Sequence, residues 1–338
     1  MKYTKLGNTG LDVSRLCLGC MTFGAADVGN HSWTLDLDAS RPIFRKAVDS
    51  GITFFDTANS YSGGTSEQMV GVLLKEMTRR EDVVLATKMY FPYETPEGVR
   101  HRRGLSRKQV LAEIDASLAR LGTDYVDLLQ IHRWDHDTPI EETMCALHDV
   151  VRSGRARYLG ASSMYAWQFA KAQEVARRNG WTPFVSMQNH VNLLYREEER
   201  EMIPLCADQG VGLIPWSPMA RGRLTRPADE ATPRLQTDDV GKRLYDRSGG
   251  QDRPVIQAVQ DLAAKRGVKM AQIALAWVLA QGDDIAPIPG TKRRAYLEEN
   301  VEAVELPLSP EDLERLEEAA PPDAAAGSRY ADMSSVNR

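Results

Sequence analysis

The strongest constraint in this chain is one alternation repeated along its length: a short apolar run, then an amphipathic helical pattern, eight times over. The runs are Leu16–Gly19, Thr53–Asp56, Val83–Lys88, Val126–His132, Tyr158–Ser162, Val185–His190, Val211–Trp216 and Ile285–Pro289. Helical periodicity fills Arg41–Ser50, Glu67–Met77, Arg107–Leu121, Ile140–Ser153, Trp167–Asn179 and Glu197–Gln209. Ser106 can cap the third helix, and Gly154, Gly180 and Gly210 stand where helices should stop. Strands separated by helices run parallel through right-handed crossovers. Eight such units close a barrel, and strands apolar on both faces fit burial on both sides. The expected fold is therefore α/β, a TIM (β/α)8 barrel. The rival is an open doubly wound sheet, which wants a glycine-rich turn after its first strand. Gly19-Cys20-Met21-Thr22-Phe23-Gly24 offers glycine at two of the three places and does not open directly into a helix.

Several features depart from the repeat. A small hairpin is expected first: Tyr3–Leu6, a turn at 7–10, then Leu11–Val13. Long polar loops at 22–38 and 221–253 follow the first and seventh strands, so both leave the C-terminal face, where barrel active sites lie. Helices at about 253–266 and 270–281 precede the last strand, and an acidic helix follows Pro310. The tail from Pro321 is expected to be loose. The whole, 1–338, reads as a single domain with a core at about 3–320.

A net charge of -5 gives no nucleic-acid or anionic-membrane footprint. Neither a signal peptide nor a bilayer-length apolar segment is read. The cysteines Cys17, Cys20, Cys145 and Cys206 are scattered, which suits buried reduced thiols in a cytoplasmic protein. No metal site is expected: Cys17 and Cys20 lack a second pair. His132 and His136 lie at a strand end, where a four-residue spacing does not share a face.

The polar residues at the strand ends carry the chemistry. Asp56, Lys88 and His132 end the second, third and fourth strands, and Tyr61 follows the second. A closed barrel gathers them at one mouth. Each alone has a bland reading: a cap, an exit to solvent, a structural histidine. Together they suit protonation of a carbonyl oxygen as a hydride reaches its carbon. A phenol donates poorly at neutral pH; Lys88 would make Tyr61 a stronger acid, Asp56 would hold Lys88 charged, and His132 would hydrogen-bond the substrate oxygen. A second cluster, Thr291-Lys292-Arg293-Arg294, follows the eighth strand and opens a helix, the usual phosphate site of this fold. Its basic run suits the 2′-phosphate of NADPH. Trp216 offers a flat face for stacking. Ser162, Ser163 and Gln188 can hydrogen-bond a carboxamide.

These stretches resemble the aldo-keto reductase family over about residues 3–320. Gly51-Ile52-Thr53-Phe54-Phe55-Asp56-Thr57-Ala58 with Tyr61, Asp127-Leu128-Leu129-Gln130-Ile131-His132, Gly160-Ala161-Ser162-Ser163, Pro215-Trp216-Ser217-Pro218 and Pro287-Ile288-Pro289-Gly290-Thr291-Lys292 look like its motifs. The runs 158–164 and 214–225 look closest to its bacterial and fungal aryl-alcohol-dehydrogenase-like members. The resemblance implies an oxidoreductase that reduces aldehydes and some ketones with NADPH (NADP+ in reverse), the dinucleotide lying extended across the mouth. Tyr61 would be the general acid, tuned by Lys88 and Asp56, with His132 orienting the carbonyl. Ser162, Ser163 and Gln188 would hold the nicotinamide carboxamide and Trp216 would stack on its ring. Gly19, Cys20, Met21 and Asp56 join the cofactor-binding set. Ser217, Pro218, Met219, Arg221 and Arg223 would line the pyrophosphate strap; Gly290, Thr291, Lys292, Tyr296, Glu299 and Asn300 would hold the adenosine phosphate.

The substrate, a small carbonyl compound, would meet Met21, Trp33, Tyr90, Phe91, Trp134 and the loop near Met219. Three positions depart from many relatives: Ser163 stands for Asn, Trp216 for Tyr, and Tyr296 for a basic or amide residue. Lys292 or Arg293 would then have to reach the 2′-phosphate. Two rivals stay open, a cofactor-binding, redox-sensing partner of channels and a lyase or isomerase using Lys88 as a Schiff base. The resemblance leaves self-association open.

Overall fold

The computed structural model of the chain describes residues 1–29, 31–230, 232, 237–246 and 250–322. The expected loose tail and the middle of the 221–253 loop fall largely outside the described residues.

Among the described residues eleven strands follow in order: β1 (Tyr3–Lys5), β2 (Asp12–Ser14), β3 (Cys17–Gly19), β4 (Phe54–Asp56), β5 (Val84–Met89), β6 (Tyr93–Glu94), β7 (Arg100–His101), β8 (Val126–Ile131), β9 (Ala156–Ser162), β10 (Phe184–Gln188) and β11 (Gly212–Leu213). The first two pair antiparallel as the N-terminal hairpin. Seven others form one parallel sheet in the order β11-β10-β9-β8-β5-β4-β3. Residues 285–289 fill the eighth place. Ala286 N–H donates to Leu213 O at 2.9 Å and Ile288 N–H to Pro215 O at 3.0 Å, while Pro287 O and Pro289 O accept from Cys17 and Gly19 at 3.0 and 3.2 Å. Each proline keeps its acceptor on the β3 side and has no N–H to give there. The segment thus closes the (β/α)8 barrel without regular strand pairing.

Side-chain alternation divides the apolar residues between two cores. Phe54, Val84, Ala86, Leu128 and Ile214 pack inside the barrel with Leu6 and Val13 of the hairpin. Phe55, Leu85, Leu129, Leu159 and Met187 face outward onto the helices. The same parity sends Asp56, Lys88, Gln130, Ser162 and Gln188 inward at the C-terminal end.

Two helices differ from expectation. The first is Leu37–Asp49, four residues earlier than read, because Asp36 caps it by accepting from Ala39 N–H at 2.9 Å and Pro42 is carried inside. The sixth is Met202–Gln209, preceded by a 3-10 turn at Glu197–Glu199. Pro204, the third residue of that helix, has no N–H to return to Arg200 O, so helical hydrogen bonding does not run on from the turn. A hairpin not foreseen, β6 with β7, rises from the loop after β5. The 221–253 loop holds a 3-10 turn, Ala220–Thr225, and a helix, Asp239–Tyr245. No described helix is long and apolar enough to cross a membrane.

Helices Thr65–Met77 and Arg107–Leu121 touch at Gly71, where an added Cβ would lie 2.1 Å from Leu121 O. Gly71→Ala should therefore destabilise the protein by about 1–3 kcal/mol. A lowered urea midpoint at unchanged slope is the expected result; an unmoved midpoint would mean the two backbones do not meet there.

Candidate active site

At the barrel mouth a lysine and an aspartate are fully buried together. Lys88 is 0 % and Asp56 1 % exposed. The Lys88 ammonium donates to Asp56 Oδ1 and, at 2.8 Å, to Thr57 O. Asp56 Oδ2 accepts from Gln130 Nε2 at 2.8 Å and from Gln188 Nε2 at 3.0 Å. Gln188 Nε2 also reaches Gln130 Oε1 at 3.2 Å. Taking two charges out of water costs several kcal/mol each, repaid only by close pairing and full hydrogen bonding. Here both carboxylate oxygens have donors, and the ammonium has two acceptors.

Tyr61 stands over this pair. Its turn, Tyr61–Gly64, has Ser62, Gly63 and Gly64 in succession at φ 46, 61 and 92. A Cβ on Gly63 would meet Glu94 O at 2.5 Å, so the turn closes tightly under the β6–β7 hairpin. Lys88 Nζ lies 5.0 Å from the Tyr61 ring centroid. The His132 ring meets Tyr61 edge-on at 5.9 Å between centroids.

Electrostatics set the proton inventory. Burial pushes the Tyr61 hydroxyl above its ordinary value; Lys88 and Arg133 pull it down, Asp56 pushes it up, and the net direction is upward. The expected acidification by Lys88 has the right sign but is outweighed by burial. Tyr61 is therefore protonated at neutral pH. Burial lowers Lys88, but Asp56 and Tyr61 more than offset it, so the net shift is upward and the ammonium stays charged. Burial, then Arg133 and Lys88, holds His132 well below the usual imidazole range. His132 is neutral, and its Nδ1 has no hydrogen-bond partner among the described residues. Burial raises Cys17 and Cys20 well above the ordinary thiol value, so neither is a nucleophile.

A cavity of about 1640 Å³ runs from this tetrad along the mouth. Ordinary small-molecule pockets hold roughly 300–1,000 Å³, so this one accommodates a longer ligand. Gly19, Cys20, Met21, Asp56, Tyr61, His132, Ser162, Gln188 and Trp216 line one end. Trp216 stacks on His190 at 4.0 Å, His190 stacks on Tyr195 at 4.3 Å, and Trp216 Nε1 donates to Ser163 Oγ at 3.2 Å. Ser163 is fully buried at φ 50 and does not line the cavity.

Ser217, Pro218, Met219 and Arg221 line the middle. The Arg221 guanidinium is held by both oxygens of Asp238, at 2.6 and 2.8 Å. Arg223 does not line the cavity; it pairs with Asp246 and lies 5.5 Å over the Tyr245 ring. Tyr245 OH meets His190 Nε2 at 2.7 Å and Asn192 Nδ2 at 3.0 Å, tying the long loop to the stack beneath Trp216. Gly290, Thr291, Lys292, Arg293, Tyr296, Glu299 and Asn300 line the far end.

Of the expected substrate wall, Met21 and Phe91 line the cavity, and Trp33, Tyr90 and Trp134 do not. Tyr90 and Trp134 are buried in the outer core. Trp33 lies under Lys292, 5.6 Å from its ammonium. Pro92, Tyr93, Glu94, Thr95 and Pro96 of the unforeseen hairpin line it instead. Gln130 was also missed. Its signal was parity: it stands two residues before His132 on the inward face. Among the described residues no group of three or more His, Cys, Asp or Glu is placed to hold a metal ion.

Residues 15–321 match the model of the aldo/keto reductase family. The chain is 47 % identical to a versiconal hemiacetal acetate reductase of Aspergillus parasiticus, over 96 % of this chain and 98 % of that protein. It is 45 % identical to a putative aryl-alcohol dehydrogenase of Schizosaccharomyces pombe, over 94 % and 95 %. The crystal structure of a thermostable aldo-keto reductase, Tm1743, with the inhibitor epalrestat superposes at a TM-score of 0.74. That pair is 29 % identical, and the match covers 94 % of this chain and all of the other.

The depressed His132 yields a pH prediction. Unfolded, its imidazole takes a proton near the ordinary value of 6.5, while the folded site resists it. Stability is therefore full above that value and falls as pH drops toward the folded pKa. Unfolding free energy measured from neutral to acid pH should fall less steeply in His132→Gln than in the parent; equal slopes would place the titrating group elsewhere.

Proposed function

The chain belongs to the aldo/keto reductase family, and from that premise we propose that it is an NADPH-dependent reductase of aldehydes and some ketones with Tyr61 as its proton donor. Membership makes it an oxidoreductase of small-molecule carbonyl compounds. The observation that carries the finer reading is the buried Lys88–Asp56 pair beneath a protonated phenol and a neutral imidazole. A partner protein that only sensed cofactor would have no use for that arrangement. A Schiff base needs a neutral amine, and Asp56 keeps Lys88 charged.

The residues along the cavity fit a dinucleotide. Asn300 lines the far end with Nδ2 buried and without a partner among the described residues, a donor suited to an acceptor-rich ligand. Thr291, Lys292 and Arg293 stand beside it at the head of helix Arg294–Glu302, where backbone N–H groups and positive charge suit phosphate. Ser162 and Gln188 would hold the carboxamide, and Trp216, braced by His190, would face the ring. When bound, the reduced nicotinamide supplies the hydride.

The chain's own residues do the rest. His132, neutral, hydrogen-bonds the substrate oxygen and holds it beside Tyr61. Tyr61 gives its hydroxyl proton to that oxygen as negative charge develops there. Lys88 stabilises the resulting phenolate, and Asp56, pinned by Gln130 and Gln188, keeps Lys88 charged and aimed. Phe91 supplies an apolar wall. Together with the aryl-alcohol and hemiacetal activities named for its relatives, that wall favours planar aromatic substrates.

Tyr61→Phe should lower kcat by about 100-fold or more while leaving NADPH affinity nearly unchanged. Single-turnover rates with an aromatic aldehyde and cofactor titration by fluorescence check both halves. A matching loss of cofactor affinity would remove Tyr61 from the donor role. Lys292→Ala should raise the KM for NADPH more than that for NADH; equal rises would move the 2′-phosphate contact elsewhere.

A further inference from the structure

A second carboxylate is buried behind the cavity wall, and the proton transfer at Tyr61 makes no direct use of it. Glu113, on helix Arg107–Leu121, is 3 % exposed and does not line the cavity. Its Oε2 accepts from Asn59 Nδ2 at 2.7 Å and from the Tyr93 hydroxyl at 3.0 Å. Its Oε1 meets His101 Nδ1 at 2.7 Å and accepts from Gln109 Nε2 at 3.4 Å. Gln109 shares the helix; the other three partners come from segments that border the reacting centre.

Asn59 stands between Asp56 and Tyr61 and is buried. Its own N–H donates to Lys88 O at 3.0 Å, so backbone and side chain fix it twice, two residues before the phenol. On the other side Tyr93 lines the cavity and packs flat on His101, with 4.2 Å between ring centroids. The Arg120 guanidinium lies 5.3 Å from the Tyr93 ring centroid and is itself held by Glu67 at 2.7 Å. Burial raises the Tyr93 hydroxyl above its ordinary value; Arg120 pulls it down, Glu113 and Glu67 push it up, and the net direction is upward. Tyr93 therefore keeps the proton it donates to Glu113. The two sides touch where Glu94 O crowds Gly63, in the turn that carries Tyr61.

We propose that Glu113 is a positioning residue for carbonyl reduction: one carboxylate oxygen holds the Tyr61 loop through Asn59 and the cavity wall through Tyr93, and so sets the gap between proton donor and substrate. The proposal rests on the carbonyl-reductase reading. An acceptor shared by two buried donors couples them, because neither can move off it without leaving a buried polar group unpaired. A misplacement of about 1 Å at a reacting group costs about 100-fold in rate. A carboxylate that touches no substrate can in this way govern turnover.

Reduction of 4-nitrobenzaldehyde at saturating NADPH tests the two arms separately. Asn59→Ala releases the Tyr61 side and should lower kcat about tenfold, with the aldehyde KM within about twofold of the parent. Tyr93→Phe removes one hydroxyl from the wall side and should raise the aldehyde KM about fivefold, with kcat within about twofold. Glu113→Ala should do both, and adding Asn59→Ala to it should cost no further kcat. Glu113→Gln, whose amide oxygen can still accept from Asn59 and Tyr93, should recover most of both losses. Kcat and KM moving alike in the two single variants, or moving in neither, would overturn the proposal; so would independent losses that multiply in the double variant. A Glu113→Ala chain that does not fold leaves the decision to the split between Asn59→Ala and Tyr93→Phe.

Hydrogen exchange separates this proposal from the reductase reading, since it needs no turnover. Residues 57–64 and 93–101 should both exchange about tenfold faster in Glu113→Ala, or each in its own arm variant, while strand Val126–Ile131 keeps the parent rate. That result with no aldehyde reduced by the parent would support the positioning role and sink the reductase reading. Unchanged exchange in either segment would overturn the positioning role whatever the turnover.

Discussion

The buried contact between Lys88 and Asp56 governs this structure. Neither charge can be removed alone without stranding the other in a medium where an unpaired ion is costly. The barrel therefore has to deliver several satellites to one point: the Thr57 carbonyl and the amides of Gln130 and Gln188. These come from β4, β8 and β10, and a closed parallel barrel is what brings those strand ends together. The pair in turn fixes the chemistry above it. It supplies a permanent positive charge beside a phenol that burial keeps protonated.

The long loops are tied to this centre by polar contacts. Tyr245, on the helix within the 221–253 loop, bonds His190 and Asn192. His190 is the ring on which Trp216 stacks. Arg221 is locked by Asp238, so one element of the loop holds another while both border the cavity. On the other side, Glu113 of helix Arg107–Leu121 accepts from Asn59 at 2.7 Å and Tyr93 at 3.0 Å, and pairs with His101 at 2.7 Å. The β6–β7 hairpin, which lines the cavity, is thereby joined to the loop that carries Tyr61. The described parts of these loops are in this way tied to the barrel and its helices.

The effect of Lys88 on Tyr61 shows where local reasoning stops. An ammonium beside a phenol lowers its pKa, and it does so here. The net direction is upward because burial is the larger influence. Burial is a property of everything packed around the mouth, including Phe91 and the unforeseen hairpin. No pairwise reading of Tyr61 and Lys88 contains it.

The eight places of the barrel, their parallel direction and the inward set were legible in the chain itself. Period-two alternation puts Asp56, Lys88, His132 and Gln188 on the same side as Phe54, Ala86 and Leu128, and parity needs no knowledge of neighbours. The helix start at Leu37 and the break ahead of Met202 were also written locally, in a capping aspartate and in the N–H that Pro204 lacks, though periodicity alone obscured them.

What only the tertiary structure decided is which side chains meet. Tyr90, Trp33 and Trp134 have the composition of a substrate wall, yet two of them turn into the outer core and the third lies beneath Lys292. The wall comes instead from Phe91 and the β6–β7 hairpin, two short strands too brief to leave a pattern. Periodicity reports the face a residue takes on its own element; cavity walls depend on loops whose course is set by contacts distant in sequence.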